Sequence, residues 1–132
     1  MGYQGFGPTR TKLDNYMTKL YNQFQTQYKE KICFTLEDLI YLYEKQNRKC
    51  AYTDELLTYY SGPVLTKDSY ESKFNITIDY DKSGYNESNI NLDDIKLIGK
   101  IIKQMKKNID SKEFMRLCKL ISNSDSATIY SK

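Results

Sequence analysis

Hydrophobic residues recur at steps of three and four in the first third of the chain, a spacing that places them on one face of an α-helix. Within residues 11–30 these positions are Leu13, Met17, Leu20, Phe24 and Tyr28. A second helix is predicted after Thr35, because Asp38 three residues later forms an approximate capping box before the run LIYLYEKQ. We expect this helix to end near Asn47. Its apolar face consists of Leu36, Leu39, Ile40 and Tyr43.

A period of two replaces this pattern in the run FNITID, residues 74–79, where apolar and polar residues alternate and β-branched side chains are common. Such alternation is typical of a β-strand. Ser83 and Gly84 then favour a turn, and residues 85–92 are expected to return as the second strand of a hairpin. A third helix is predicted from Asp93 or Asp94 to about Asn108, with acidic residues in its first turn and lysines in its last. Its buried face is expected to contain Ile95, Ile98, Ile102 and Met105.

Asp110 and Glu113 indicate the start of a fourth helix that runs to about Ser122. This order of elements predicts an α+β fold in which helices pack around a small β-hairpin that is followed by a helix. We assign residues 1–10 to a flexible N-terminal arm, residues 11–122 to a single domain, and residues 123–132 to a polar C-terminal tail.

Histidine is absent from the chain of 132 residues, and so is tryptophan. The absence of histidine excludes Ser–His and Cys–His nucleophile pairs, an imidazole general base, and zinc sites that use histidine. The three cysteines form no CxxC pair, so we expect reduced, mostly buried thiols. No apolar run approaches the roughly 20 residues of a membrane span, and the N-terminus lacks a signal-peptide pattern. The sequence therefore predicts an intracellular, soluble protein with no membrane partner.

Lysines dominate the polar side of the predicted third helix. The chain has 20 Lys and Arg against 17 Asp and Glu, a formal net charge of +3. If residues 93–108 are helical, four lysines lie within about 60° of one another and could contact a row of phosphates, with Lys106 as an auxiliary contact. These four are Lys96, Lys100, Lys103 and Lys107. The alternative is an ordinary solvated helix face.

Acidic residues cluster around the predicted hairpin. Asp79, Asp81, Asp93 and Asp94 would meet if the hairpin packs against the start of the third helix. Two or three carboxylates form a minimal Mg²⁺ site, because that ion keeps several of its water ligands. Asp79, Asp81 and Asp94 are therefore the candidate metal ligands. Turn formation and helix capping explain the same residues without a metal.

Three segments carry a resemblance to a known family. They are FTLEDLIYLYEKQNRKCAYTDELL, NITIDYDKSGYNESNINL and IIKQMKKNIDSKEFMRLCKLI. Over residues 11–121 the chain resembles the HNH endonuclease-like proteins of phages and large DNA viruses. The resemblance implies a ββα core, a metal-site hairpin, and cleavage of a metal-bound phosphodiester by a water that an imidazole activates.

The chain departs from that family at the positions that would carry catalysis. Asp79 corresponds to the first metal ligand, but Tyr80 stands where the general base belongs, and a phenol is a poor base at neutral pH. The Asn that orients the base corresponds to Asn89 or to Asp94, depending on the register. The second metal ligand correspondingly becomes Ile98 or Lys103, and neither can bind a divalent cation.

These observations favour a catalytically inactive, HNH-like domain that binds duplex DNA through lysines or has an architectural role in a viral or phage assembly. On this hypothesis no cofactor is expected, and the protein would be virion-associated or lie in an infected host cell. One alternative is a divergent nuclease or nickase that holds Mg²⁺ on Asp79, Asp81 and Asp94. Another is a protein–protein interaction module with tyrosine-rich surfaces.

Overall fold

Four α-helices and one antiparallel pair of strands make up the part of the chain that the computed structural model describes, residues 11–60, 72–80 and 89–124. In chain order the elements are α1 (Lys12–Tyr28), α2 (Leu36–Lys45), β1 (Ile76–Tyr80), β2 (Ile95–Gly99), α3 (Lys100–Lys106) and α4 (Ser111–Ser122). The predicted α+β class is confirmed, with two strands followed by a helix. The predicted N-terminal arm and most of the C-terminal tail lie outside the described residues.

Local capping interactions explain why three of the predicted helices begin where they do. The Thr11 hydroxyl accepts a hydrogen bond from the Asp14 backbone N–H at the start of α1, and the Asp14 carboxylate accepts one from the Thr11 N–H. Thr35 and Asp38 make the same reciprocal pair at the start of α2. The Asp110 carboxylate caps α4 by accepting from the Glu113 N–H. These three predictions are confirmed.

The third helix is shorter than predicted, because residues 95–99 form β2 instead. The register pairs Ile78 with Leu97 and Asp79 with Lys96. Ile95, Leu97, Ile98 and Gly99 are buried in β2, which gives it a nearly continuous buried run rather than a clean alternation. Spacings of three residues within that run also fit a helix, which accounts for the wrong prediction.

Residues 89–92 do not form the predicted second strand, and residues 85–88 lie outside the described part. Asn89 and Asn91 are not in regular structure, and Leu92–Asp94 form a 3₁₀ turn. Ile90 makes an isolated parallel bridge with Ile32. The expected burial of Met105 is also wrong, since this residue is 58 % exposed because the true α3 begins only at Lys100.

The hydrophobic core lies between the strand pair and the first two helices. Its fully buried side chains include Met17 of α1, Leu39 of α2, Ile76 of β1 and Leu97 of β2. The Gln46 side chain makes the pair of hydrogen bonds to Leu97 that a neighbouring strand would make. Its amide donates to the Leu97 carbonyl and accepts from the Leu97 N–H, each at 3.0 Å. These two bonds satisfy the backbone of Leu97 on the side of β2 that does not face β1.

Close backbone contact directs α3 onto β1. A Cβ atom on Gly99 would lie 2.6 Å from Phe74 Cδ1 and 3.0 Å from Phe74 Cα. Glycine therefore allows the chain to pass over Phe74 as β2 turns into α3. As a result, the last turn of α3 lies beside the C-terminal half of β1.

The three cysteines are free thiols, as predicted, but only Cys50 is buried, since Cys33 is exposed and Cys118 is partly buried. Within the described ranges, no helix is both long enough and apolar enough to cross a membrane.

Candidate nucleic-acid interface

A pocket of about 430 Å³ lies where the C-terminal ends of α1, β1 and α3 meet. Phe24, Gln27 and Tyr28 line it from α1, and Ile78, Asp79 and Tyr80 line it from β1. The remaining wall comes from the end of α3 and the residues that follow it, Lys103, Lys106, Lys107, Asn108 and Ile109. The pocket thus brings together Asp79, Tyr80 and Lys103, three positions that the sequence singles out.

Asp79 is buried beside a buried lysine. The ammonium Nζ of Lys106 lies 3.2 Å from Asp79 Oδ1, and these residues are 3 % and 6 % exposed. The other carboxylate oxygen, Oδ2, accepts a hydrogen bond from the Tyr52 hydroxyl at 2.8 Å. Both oxygens of Asp79 therefore have strong partners supplied by the chain itself.

A hydroxyl relay continues from Asp79 to the start of α4. Tyr52 Oη lies 2.6 Å from Ser111 Oγ. Tyr52 has a single hydroxyl proton, and an ionised carboxylate can only accept, so Tyr52 donates to Asp79 and Ser111 donates to Tyr52. The relay ties β1 to the N-terminus of α4, and the Tyr52 ring also packs edge-on against Phe114.

The structure describes two of the three candidate Mg²⁺ ligands, Asp79 and Asp94, and each of them has partners within the chain. Among the described residues, no group of three His, Cys, Asp or Glu side chains is placed to hold a metal. Lys106 occupies one oxygen of Asp79 with a positive charge, which would repel a divalent cation. The second proposed ligand, Asp94, lies in the 3₁₀ turn and accepts from the Asn91 N–H at 2.9 Å. The third, Asp81, lies outside the described residues, and Asn89 is exposed and absent from the pocket wall.

Tyr80 contributes an aromatic wall to the pocket. Successive side chains of a strand point to opposite faces, so Tyr80 points away from the Asp79 carboxylate and toward α1. Its ring meets Tyr28 edge-on at a centroid distance of 5.3 Å and Phe24 at 6.2 Å. Tyr80, the residue at which the resemblance leads us to expect a general base, is thus packed among aromatic rings.

The structure separates the lysines that the sequence places on one helix stripe. Lys96 lies on β2, with its ammonium 6.0 Å from the centre of the Tyr52 ring, and does not belong to α3. Lys106 is buried in its ion pair, which corrects its assignment as an auxiliary phosphate contact. Lys100, Lys103 and Lys107 remain together at the surface, where they line a shallow depression with Thr77 and Gln104.

Two further lysines, which sequence reasoning missed, extend this surface. Lys29 and Lys31 line a depression next to the pocket, and the two share Gln27 and Tyr28 as a common wall. On the other side, the pocket shares Lys103, Lys107 and Asn108 with the depression on α3. We call the exposed lysines Lys29, Lys31, Lys100, Lys103 and Lys107 the lysine trough. Among the described residues that line it, Asp79 is the single carboxylate, and Lys106 pairs with it.

The C-caps of α1 and α3 place two trough lysines in an unusual backbone conformation. Lys29 has φ 49° and ψ −124°, and Lys107 has φ 46° and ψ −120°. Positive φ with this ψ matches the first central residue of a type II′ turn, a position that glycine usually occupies. Side chains there cost of order 1–3 kcal/mol. The chain nevertheless places an ammonium at both positions.

Lys103 connects α3 to β1 through a hydrogen bond to the backbone. Its side chain is exposed along much of its length, and its partly buried ammonium uses one of its three N–H groups to donate to the Ile78 carbonyl at 2.8 Å. This partial burial of the ammonium lowers the pKa of Lys103 from its ordinary value, and the nearby Asp79 carboxylate opposes that shift. Lys103 therefore has a defined position at the mouth of the pocket.

One signal in the sequence could have identified the buried lysine. Lys106 follows the buried Ile102 by four residues, a spacing that puts both on the same helix face. By contrast, nothing local in the sequence indicates that Tyr52 and Ser111 approach Asp79, because that contact depends on how distant segments fold together. Comparison of the chain with family models, with curated proteins and with solved structures found no significant match.

Proposed function

We propose that the chain is a catalytically inactive, HNH-like domain that binds duplex DNA through the lysine trough. Its role on this proposal is binding or architecture, and the family resemblance suggests a viral or phage assembly as its setting.

The observation that carries this proposal is the set of five exposed lysines along three neighbouring depressions that share lining residues. Lysines bind phosphates as point charges, and each phosphate that they neutralise releases condensed counterions from DNA. An ordinary solvated face usually mixes both charge signs. The trough instead combines lysines that follow α1 with lysines of α3 and its C-cap, and Lys106 already neutralises its single described carboxylate.

The surroundings of Asp79 support the absence of catalysis. An ammonium lies 3.2 Å from the oxygen that a metal would need, and a tyrosine stands next to Asp79 in place of a base. The chain has no histidine at any position that could take over this role. The retained Asp79 thus acts in this proposal as a structural anchor for α3.

The test compares two triple variants that remove the same charge. Lys100→Gln/Lys103→Gln/Lys107→Gln removes three lysines of the trough. The matched control, Lys19→Gln/Lys45→Gln/Lys119→Gln, removes three exposed lysines of α1, α2 and α4 that do not line it. Each variant lowers the formal net charge from +3 to 0. Lys103→Gln keeps a side-chain N–H donor, on a side chain one atom shorter than that of lysine, so the fold around α3 should persist.

Fluorescence anisotropy with a labelled DNA duplex, repeated at several salt concentrations, gives both affinity and salt slope. The trough variant should bind more weakly and lose about 2–3 units of the slope of log K against log salt, at about 0.9 per phosphate contact. The control variant should stay close to the wild type. If both variants lose the same amount of duplex affinity and salt slope, binding depends on net charge in general and not on the lysine trough. Absence of duplex binding by the wild type at low salt would contradict the proposal and favour the protein-binding alternative.

A further inference from the structure

We propose that the pocket between α1, β1 and α3 accepts one unpaired base of a DNA strand whose phosphates follow the lysine trough. This inference rests on the proposed function, since it names the part of the nucleic acid that the centre of that trough recognises.

The aromatic wall of the pocket supplies a surface for a base. Tyr28 and Tyr80 are half-buried and meet edge-on, with the buried Phe24 behind them at 4.7 Å and 6.2 Å between ring centres. Their hydrophobic surroundings fix the rings in place, so little side-chain entropy is lost on binding. Bases stack on such rings whatever their identity, because every base has a π-face.

The polar groups at the rim suit the edge of a base. Gln27, which lies on α1, and Asn108, which follows α3, both line the pocket. Each amide can both donate and accept, so it can pair with donors or acceptors on a base edge. Such groups favour a base over a purely apolar ligand without selecting one of the four.

The charges around the pocket indicate a strand rather than an isolated small molecule. Lys103 and Lys107 line the pocket itself, Lys29 and Lys31 line one neighbouring depression, and Lys100 lines the other. Phosphates on both sides of an inserted nucleotide would therefore meet lysines. The volume of about 430 Å³ lies in the ordinary range of ligand pockets, about 300–1,000 Å³.

The occupant should already be unpaired. Extracting a base from an intact duplex requires unstacking and unpairing, a cost that is smallest for a base that is not paired to begin with. A duplex with a single bulged adenine meets this condition and leaves the flanking phosphates for the trough. The same duplex with an abasic bulge has the same backbone and charge but no base.

The experiment measures binding of the full chain to three DNA duplexes: blunt, bulged adenine and abasic bulge. We expect the adenine bulge to bind about tenfold more tightly than the abasic bulge. A 2-aminopurine in the bulge should change its fluorescence on binding, and the absence of tryptophan from the chain leaves that signal clear. Equal affinity for the adenine and abasic bulges would overturn the inference.

Variants link the preference to the pocket. Tyr28→Leu keeps an apolar side chain against Phe24 but removes a stacking ring, and it should bring the ratio of adenine to abasic affinity close to one. The control Tyr41→Leu changes an exposed tyrosine of α2 and should keep the wild-type ratio. A wild-type ratio in Tyr28→Leu would overturn the assignment to this pocket, and if that variant does not fold, the comparison of bulges in the wild type decides.

The two proposals fail in different ways. Salt-dependent binding of the blunt duplex without any difference between the bulges would retain the trough and refute the base pocket. Tight binding of the adenine bulge with no detectable binding of the blunt duplex would refute the proposal that the lysine trough binds duplex DNA, and it would retain the base pocket. If none of the three duplexes binds at low salt, both proposals are wrong.

Discussion

Lys106 Nζ lies 3.2 Å from Asp79 Oδ1, and both side chains are almost completely buried. This pair joins the last turn of α3 to the C-terminal end of β1. It also replaces, with a positive charge from the chain, any cation that the Asp79 carboxylate could have recruited from solvent. The same contact thus sets the architecture of the pocket and limits its chemistry.

Removing either partner of this pair should destabilise the protein strongly. Asp79→Ala leaves a buried ammonium uncompensated, and Lys106→Met leaves a buried carboxylate, so each should lower the free energy of unfolding by about 3–5 kcal/mol. The double variant Asp79→Ala/Lys106→Met leaves neither charge of this pair buried. Its loss in the free energy of unfolding should therefore be clearly smaller than the sum of the two single losses. Urea unfolding of the wild type and the three variants measures this coupling.

The exposed ion pair of Arg48 and Glu44 provides the control. Its atoms are only 3.0 Å apart, but the side chains are 61 % and 48 % exposed. Glu44→Ala should therefore lower the free energy of unfolding by about 0.2–1 kcal/mol. Additive losses in Asp79→Ala/Lys106→Met would mean that the buried pair contributes no more coupling than this surface pair.

The protein should not nick supercoiled plasmid in the presence of Mg²⁺ or Mn²⁺. The described residues supply no three-ligand metal site, and the chain has no histidine to activate a water. Agarose gels resolve the nicked form directly. The informative variant is Asp79→Asn, because its carbonyl oxygen can still accept from Tyr52. Nicking by the wild type that Asp79→Asn abolishes, while its folding and duplex binding persist, would establish the nuclease alternative.

The helices were predictable because their signals are local. Thr11 with Asp14 and Thr35 with Asp38 satisfy backbone groups within one turn, so the sequence alone contains both partners. The strand β2 was not predictable in this way. Ile95 and Ile98 are three residues apart, as in a helix, and only pairing with residues 76–80 selects the extended form.

The sequence allowed us to identify several residues of the candidate site, but not the role that each of them has in the structure. Asp79 and the α3 lysines could be identified from their types and spacing. That Lys106 turns into the core toward Asp79, while Lys103 and Lys107 stay at the surface, depends on the start of α3 at Lys100. A helix that began at Asp94 would have the same lysines, but its position on β1 would be different.

Alkaline conditions should weaken the fold through Tyr16. Its hydroxyl donates to the Ile76 carbonyl at 2.9 Å, and burial raises the pKa of Tyr16 to about 12. Below pH 10 the phenol is neutral in both folded and unfolded chains. Between about pH 10 and 12 the unfolded chain loses this proton while the folded chain retains it, so stability falls as pH rises.

Tyr16→Phe separates this effect from other groups. Burial also raises the pKa values of Tyr21 and Tyr43, which act in the same direction, while the lowered pKa of Lys103 acts in the opposite one. In urea unfolding at pH 8, the free energy of unfolding of the wild type should exceed that of Tyr16→Phe by about 0.5–1.5 kcal/mol. This difference should shrink above pH 10, and a difference that stays constant to pH 11.5 would contradict the assignment.

The strained lysines should separate stability from binding. Glycine at position 29 or 107 relieves a backbone cost of order 1–3 kcal/mol and adds about 0.5–1 kcal/mol of chain entropy to the unfolded state. Lys29→Gly and Lys107→Gly should therefore leave the free energy of unfolding unchanged or raise it by about 1 kcal/mol. Because each also removes a trough ammonium, each should weaken duplex binding and reduce its salt slope by about 0.9.

Lys19→Gly removes the same charge from the middle of α1, where it has no positive φ and does not line the trough. It should show the opposite behaviour, with a loss of about 1 kcal/mol in stability and no change in duplex affinity. Urea unfolding and anisotropy on the same preparations provide both readings. If Lys107→Gly loses stability and binds DNA like the wild type, its side chain serves the fold rather than the trough. A stable Lys107→Gly with weakened binding would mean that the chain keeps a strained backbone there in order to present an ammonium to phosphate.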